Sequence, residues 1–375
     1  MVFKSILVTL MVMSCLGDES TTYTPEIDQY VLKILIPLLN PLNGLLFDGP
    51  ASVSNAPAKE NKNKLPSVEQ MNYYMYYAAA AYYGYDLKKL SCKYCSKFKD
   101  DISDHKVIVN NIHNTLGLVT VSEKRQEIVV AYRGSWNIWN YVLSAISLNS
   151  GNGKSGIKIH AGFRIAAESL YPDTVRALRR YLKKYPDFKI VLAGHSLGGA
   201  IARIIYYFLA DSKTFPSSTF ELYTYGEPRV GNINFADFMN CQQITTARVV
   251  ARADIICHYP PTSILGTNLL INDYFIHPQT EFWIDGKKNQ HFCNNTFYED
   301  PACSMSMGPL YSLIDHVIYF DVNISDGFGQ LLSIAHLPFG LLNPFEDLPP
   351  LPKPLENILS GVTGGTASVL SPLLG

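Results

Sequence analysis

With 375 residues, 47% of them hydrophobic, the chain can bury one large core, although its length would also permit two domains. Its 31 Lys and Arg stand against 32 Asp and Glu, a formal net charge of −1. That balance argues against a nucleic-acid partner and against a polybasic membrane anchor.

The N-terminus reads as a secretory signal over residues 1–17, so a secreted, extracellular protein is expected. Lys4 supplies the positive end, residues 6–13 the apolar stretch, and Cys15-Leu16-Gly17 a small-residue cleavage site. Residues 27–47 are apolar but interrupted by Pro37, Pro41 and Gly44, so no transmembrane segment is expected. Residues 51–64 are small, polar and charged; residues 18–66 therefore read as a pro-segment or flexible N-terminal arm. Order is expected from Ser67, with a folded domain over residues 67–326. Within it, residues 68–83 read as a helix and residues 107–111, 116–122 and 127–132 as strands. Residues 163–185 read as a long helix whose solvated face carries Arg176, Arg179, Arg180, Lys183 and Lys184. Residues 189–193 read as a strand, 200–210 as a helix, 221–225 and 246–251 as strands, and the segment around 282–284 as an antiparallel excursion. Strands separated by helices point to an α/β fold with a largely parallel sheet covered on both faces. Residues 327–375 form a Leu/Pro/Gly-rich C-terminal tail nearly free of charge.

Export implies an oxidising compartment. Beyond Cys15 the chain has six cysteines, an even number. Cys92-Lys93-Tyr94-Cys95 reads as a local disulfide rather than a zinc knuckle, because no second Cys-x-x-Cys follows. Cys293 and Cys303 bracket a short polar loop and make a second pair. Cys241 and Cys257 flank a strand that would hold them apart, so no bond is expected between them. Asn294-Asn295-Thr296 and Asn323-Ile324-Ser325 are glycosylation sequons, with Asn294 and Asn323 as acceptors.

Gly194-His195-Ser196-Leu197-Gly198-Gly199-Ala200 lies between an apolar strand and an apolar helix, the arrangement of a nucleophile elbow and of an α/β-hydrolase. Ser196 is then the nucleophile, and it needs a base and an acid that follow it in the order Ser, Asp, His. His316, in an apolar stretch near the end of the folded region, is the preferred base over His258, His277, His291 and His336. Asp254 follows a strand and would emerge at its C-terminal edge, where such sheets place their sites. It is preferred over Asp237 in a helical pattern, Asp285 in a turn and Asp315 beside His316. The backbone N–H of Leu197 supplies one oxyanion donor, and Ser135, in the turn Arg133-Gly134-Ser135, the second. In the uncharged segment after that turn, Asn137, Asn140, Ser144 and Ser147 form a polar stripe. Trp136, Ile138, Trp139, Val142, Leu143 and Ile146 cover the rest, which reads either as a core helix or as a mobile lid; its place between the oxyanion residue and the Gly-rich loop 150–156 favours a helical lid, with Gly153 and Gly156 as hinges. This chemistry requires no metal and no cofactor.

Together these pieces resemble the class 3 lipases, the filamentous-fungal triacylglycerol lipase family. The likeness spans residues 71–322 and rests on six islands in order: IVVAYRGS (128–135), KIHAGF (158–163), VLAGHSLGGA (191–200), LYTYGEPRVG (222–231), ADIICHYPP (253–261) and DHVIYF (315–320). The resemblance implies Ser196, Asp254 and His316 as the catalytic triad and Ser135 and Leu197 as the oxyanion hole. It implies a lid after Ser135 and the disulfides Cys92–Cys95 and Cys293–Cys303. It further implies a lipase catalytic domain over residues 67–326 that acts on acylglycerols at a lipid–water interface. A phospholipase, galactolipase or feruloyl-type esterase on the same scaffold, or a non-catalytic lipid-binding homologue, are the alternatives. The chain departs from the family at Ser144, where lids often carry Asp, and at Cys257, where proline is frequent.

Overall fold

The computed structural model describes residues 58, 60–135, 150–152, 156–215, 220–260, 275–287, 289–307, 312 and 314–326. The expected signal (residues 1–17), most of the expected N-terminal arm, the residues expected to form a lid (Trp136, Ile138, Trp139, Val142, Leu143 and Ile146), the expected hinge residue Gly153 and the C-terminal tail lie outside the described residues.

Helix α1 (Val68–Ala80) starts where Ser67 can cap it. Gln70 donates its N–H to Ser67 Oγ at 3.2 Å, and Ser67 N–H donates to Gln70 Oε1 at 2.9 Å, a reciprocal capping box. The expected helix runs on as a 3-10 segment (Ala81–Lys89), because Gly84 adopts φ 46°, ψ −100° and breaks the α register.

The sheet has eight strands: β1 (Asp104–Asn110), β2 (Thr115–Ser122), β3 (Glu127–Tyr132), β6 (Lys189–His195), β7 (Phe220–Tyr225), β8 (Thr245–Ala251), β9 (Glu281–Ile284) and β10 (Gln290–Phe292). They lie in the order β1-β2-β3-β6-β7-β8-β9-β10. β3, β6, β7, β8 and β9 run parallel, and the outer pairs β1/β2, β2/β3 and β9/β10 are antiparallel. The segment around 282–284 is thus the last parallel strand, and only β10 turns back against it. Two further ribbons, β4 (Ser150–Asn152) with β5 (Lys158–His160) and β11 (Ile318–Tyr319) with β12 (Val322–Asn323), stand outside the main sheet.

Central strands buried on both faces read as continuous apolar runs, and β3 and β6 do so. α1 packs on one face against Val129, Val191, Tyr223 and Val249. Helices α2 (Ala161–Lys184), α3 (Leu197–Asp211) and α4 (Ile233–Asn240) pack on the other against Ile128, Val130, Ile190 and Leu192. α3 is buried along nearly its whole length, which accounts for its lack of a polar face. Truncating a residue such as Leu192 in this core would cost about 2–5 kcal/mol. The basic residues of α2 from Arg176 to Lys184 are solvent-exposed.

The segment before Ser67 is already tied to the fold. Lys62 N–H donates to the Asn240 carbonyl at 2.9 Å, Lys64 pairs with Thr245 beside β8, and Asn63 Nδ2 donates to the Met239 carbonyl at 2.9 Å.

Sheet register sets the positions of the loops that carry the expected site residues. Tyr132 lies opposite Gly194, His195 opposite Tyr225, and Tyr225 opposite Val249. The loops leaving β3, β6, β7 and β8 therefore emerge side by side at one edge, carrying Ser135, Ser196, Gly226 and Asp254.

Candidate active site

Ser196 occupies the turn between β6 and α3 with φ 59° and ψ −130°, a conformation that costs a non-glycine residue strain. Its N–H donates to the Tyr225 carbonyl at 2.8 Å and its carbonyl accepts from Gly199 N–H at 2.9 Å, so the strain is held from both sides. The flanking glycines are sterically required: a Cβ on Gly194 would strike the Gly198 carbonyl, and one on Gly198 the Tyr132 carbonyl.

Asp254 follows β8 and is fully buried. Its Oδ1 accepts the Ile256 N–H at 2.8 Å, and its Oδ2 accepts from His316 Nδ1 at 2.8 Å and from the Tyr319 hydroxyl. Burial pushes the Asp254 carboxyl up, but His316 and these donors outweigh it and hold it below the usual carboxylate range. With Nδ1–H committed to a carboxylate, neutral His316 carries its lone pair on Nε2. Neither His316 Nε2 nor Ser196 Oγ has a hydrogen-bond partner among the described residues, although both are buried. Two unpaired polar atoms in such a setting are costly and mark a place for chemistry.

The neighbourhood of Ser196 ties these parts together. The rings of His195 and His316 lie 4.5 Å apart between centroids. Gly226, at φ +59°, sits so close that a Cβ there would lie 2.8 Å from His316 Nδ1 and 2.9 Å from Asp254 Oδ2. A Cβ on Gly134 would lie 3.1 Å from Ser196 Cβ, which brings the turn ending in half-buried Ser135 alongside the elbow. Leu197 is the first residue of α3, and its N–H is one of the four that a helix cannot pair internally.

The Lipase (class 3) family model matches residues 129–264. The lipase of Rhizopus niveus is 32% identical over 240 residues, 63% of this chain and 58% of that protein. The secreted mono- and diacylglycerol lipase 1 of Fusarium solani is 31% identical over 229 residues, 58% of this chain and 64% of that protein. A solved triacylglycerol lipase whose catalytic centre is a serine protease triad superposes with a TM-score of 0.61 at 27% identity, covering 70% of this chain and 99% of the other. Over residues 129–264 the chain is similar to the class 3 lipases. Its sheet and helices form the α/β-hydrolase fold. It spans about three fifths of the length of the curated relatives it matches.

Other carboxylates of the chain are engaged elsewhere. Asp315 pairs with Arg252 and accepts the Ala253 N–H, Asp237 accepts from Tyr298, and Asp285 closes its own turn through Lys287 and Asn289. Among the histidines, His277 Nε2 binds the Cys257 carbonyl at 2.7 Å, His258 is buried, His291 lies exposed against Trp283, and His336 is outside the described residues.

Disulfides join Cys92 to Cys95 and Cys293 to Cys303, while Cys241 and Cys257 are free. His291, Cys293 and Cys303 have metal-like spacing, but the two sulfurs are bonded to each other and offer no thiolate. No helix among the described residues is long and apolar enough to cross a membrane. Asn294 is exposed and Asn323 half-buried; each accepts from the hydroxyl of its sequon Thr296 or Ser325.

Three site neighbours escaped the sequence reading. Tyr319, three residues beyond His316, donates to Asp254. Tyr82 reaches His195 at 2.8 Å. Gly226 lies under the His316–Asp254 pair. Gly226 and Tyr319 left a trace in the sequence, as members of the 222–231 and 315–320 islands; Tyr82 left none.

Proposed function

We propose that this chain is a secreted, serine-dependent carboxylic ester hydrolase, a triacylglycerol lipase acting at a lipid–water interface. The observation that carries this reading is the buried Asp254–His316 pair packed against the strained elbow of Ser196. The match of residues 129–264 to the class 3 lipase model, and relatives named as triacylglycerol and as mono- and diacylglycerol lipases, support the acylglycerol substrate class.

In this mechanism His316 Nε2 takes the Ser196 hydroxyl proton as Oγ attacks the ester carbonyl. The electron pair of the carbonyl moves onto its oxygen, which the N–H groups of Leu197 and Ser135 and the Ser135 hydroxyl stabilise. The intermediate collapses, the acyl group stays on Ser196, and His316 returns the proton to the leaving alcohol. Water then attacks the acyl-enzyme with His316 as base again. Asp254 remains ionised and holds the imidazole in the tautomer that exposes Nε2.

Ser196 and His316 are 1% and 0% exposed, so an ester must open a path to reach them. Residues 136–148 are the proposed lid, with the apolar side of Trp136, Ile138, Trp139, Val142, Leu143 and Ile146 meeting lipid. Residues 1–17 are the proposed export signal, residues 18–66 a pro-segment or arm, residues 67–326 the catalytic domain, and Asn294 and Asn323 the proposed glycan acceptors. The test is hydrolysis of emulsified triglyceride by wild type and Ser196→Ala. Wild-type activity that vanishes in the variant supports the reading; equal rates in both overturn it.

A further inference from the structure

His195 is the variable residue of the Gly-x-Ser-x-Gly turn, and the ester-hydrolysis steps make no use of it. It is fully buried, at the last position of β6. Both ring nitrogens are engaged. Nε2 lies 2.7 Å from the backbone carbonyl of His316, and Nδ1 lies 2.8 Å from the Tyr82 hydroxyl.

The partners fix the tautomer. A carbonyl oxygen only accepts, so Nε2 carries the proton and donates it to His316 C=O. Neutral imidazole then has its lone pair on Nδ1, which accepts the Tyr82 O–H. Tyr82 Oη also lies against Gly134, close enough that a Cβ there would collide with it. One hydroxyl and one imidazole thereby join the oxyanion turn, the nucleophile elbow and the loop that carries the base.

We propose that Tyr82 and His195 are positioning residues that set where His316 stands relative to Ser196. This proposal rests on the ester-hydrolase reading of the site. Tyr82 occupies Nδ1 and so fixes the ring of His195, and His195 clamps the backbone of His316 through Nε2–H while its ring packs beside the His316 ring. The same arrangement keeps His195 from competing as a base, because its only lone pair is taken by Tyr82. Burial, and then the neighbouring His316, press the His195 pKa down to about 3, so it stays neutral and adds no charge beside the imidazolium that forms during turnover.

The experiment uses the full chain with wild type, Tyr82→Phe, His195→Leu and His195→Gln, assayed on a soluble p-nitrophenyl ester and by fluorophosphonate labelling of Ser196. Tyr82→Phe keeps the ring and removes the hydroxyl that bonds His195 Nδ1 and meets the His195 carbonyl and the Gly134 backbone. It should lower kcat about tenfold with KM little changed, the rate equivalent of one buried hydrogen bond. His195→Leu removes both bonds and should lower kcat about 100-fold. His195→Gln restores a donor toward the His316 carbonyl and should recover part of that loss. Labelling rates should fall in the same order, counted per folded molecule. Should His195→Leu fail to fold, Tyr82→Phe carries the test.

Wild-type kcat and labelling in Tyr82→Phe overturn the proposal, and so does a loss confined to KM or to the folded fraction. A wild type that neither hydrolyses nor labels overturns the hydrolase reading instead. The positioning is then read from imidazole nitrogen chemical shifts. These should report the neutral Nε2–H tautomer of His195 in wild type, with an Nδ1 shift that moves to that of an unbonded nitrogen in Tyr82→Phe; an unchanged Nδ1 shift overturns it.

Discussion

His316 donates its Nδ1–H to Asp254 Oδ2 across 2.8 Å, and neither side chain is open to solvent. In Asp254→Asn an amide replaces the acceptor, and the side-chain NH2 can turn toward Nδ1. His316 then takes the tautomer with its proton on Nε2, the wrong form for a base. The rate on a soluble ester should fall by about 10⁴-fold while the protein stays folded. Steady-state kinetics beside a melting curve checks this, and a loss under about tenfold would show that Asp254 does not orient the base.

Gly226 makes a sharper steric test. A methyl there would meet His316 and Asp254 together, and φ +59° disfavours any side chain. Gly226→Ala should force the pair apart and remove most of the activity, with a smaller effect on melting. Wild-type kinetics in that variant would mean that the pair has room to spare.

Glu299 links stability to pH. It forms a buried pair with Arg229, whose Nη1 also donates to the carbonyls of His258 and Pro260, just beyond Asp254. Burial raises the Glu299 carboxyl, but Arg229 more than compensates and brings it to about 2. The folded pKa lies below the unfolded one, so the contribution is complete above about pH 4.3 and is lost as the pH falls toward 2. Its size is on the order of 3 kcal/mol. Glu299→Gln leaves Arg229 without a counter-charge and should cost about 3–5 kcal/mol at neutral pH. Denaturant midpoints measured from neutral to acid should fall in wild type and show a shallower acid decline in the variant.

The two disulfides should differ in worth. Cys293–Cys303 closes the longer loop, with a sequence separation of 10 against 3 for Cys92–Cys95. Loop-closure entropy then gives about 3 kcal/mol for the first and about 2 for the second. Paired Cys→Ser variants compared by chemical denaturation would test the order; a larger loss at Cys92 and Cys95 would reverse it.

Much of the fold was legible because the central strands are buried on both faces. Residues 127–132 read as a strand from end to end, since a run such as Ile128-Val129-Val130 has no polar side to confuse the period. The elbow was legible because its glycines are steric necessities. Other features depend on partners that no local pattern names. The segment around 282–284 looked like an excursion because nothing in its own residues says that β8 lies beside it in parallel. The partners of Tyr82 and Tyr319 were invisible among 24 tyrosines, although Tyr319 lies in the 315–320 island, since a hydroxyl's partner is a matter of tertiary contact. Residues 60–64 looked like a free linker because their acceptors, Asn240 and Ile244, are about 180 positions away in sequence.

That last attachment bears on how the protein is matured or trimmed. A protease that cuts at the start of α1 would strip a short clasp off the β8 side of the sheet. It would leave the carbonyls of Met239, Asn240 and Ile244 to find water instead. A cut ahead of residue 58 leaves those hydrogen bonds, and the clasp they make, in place.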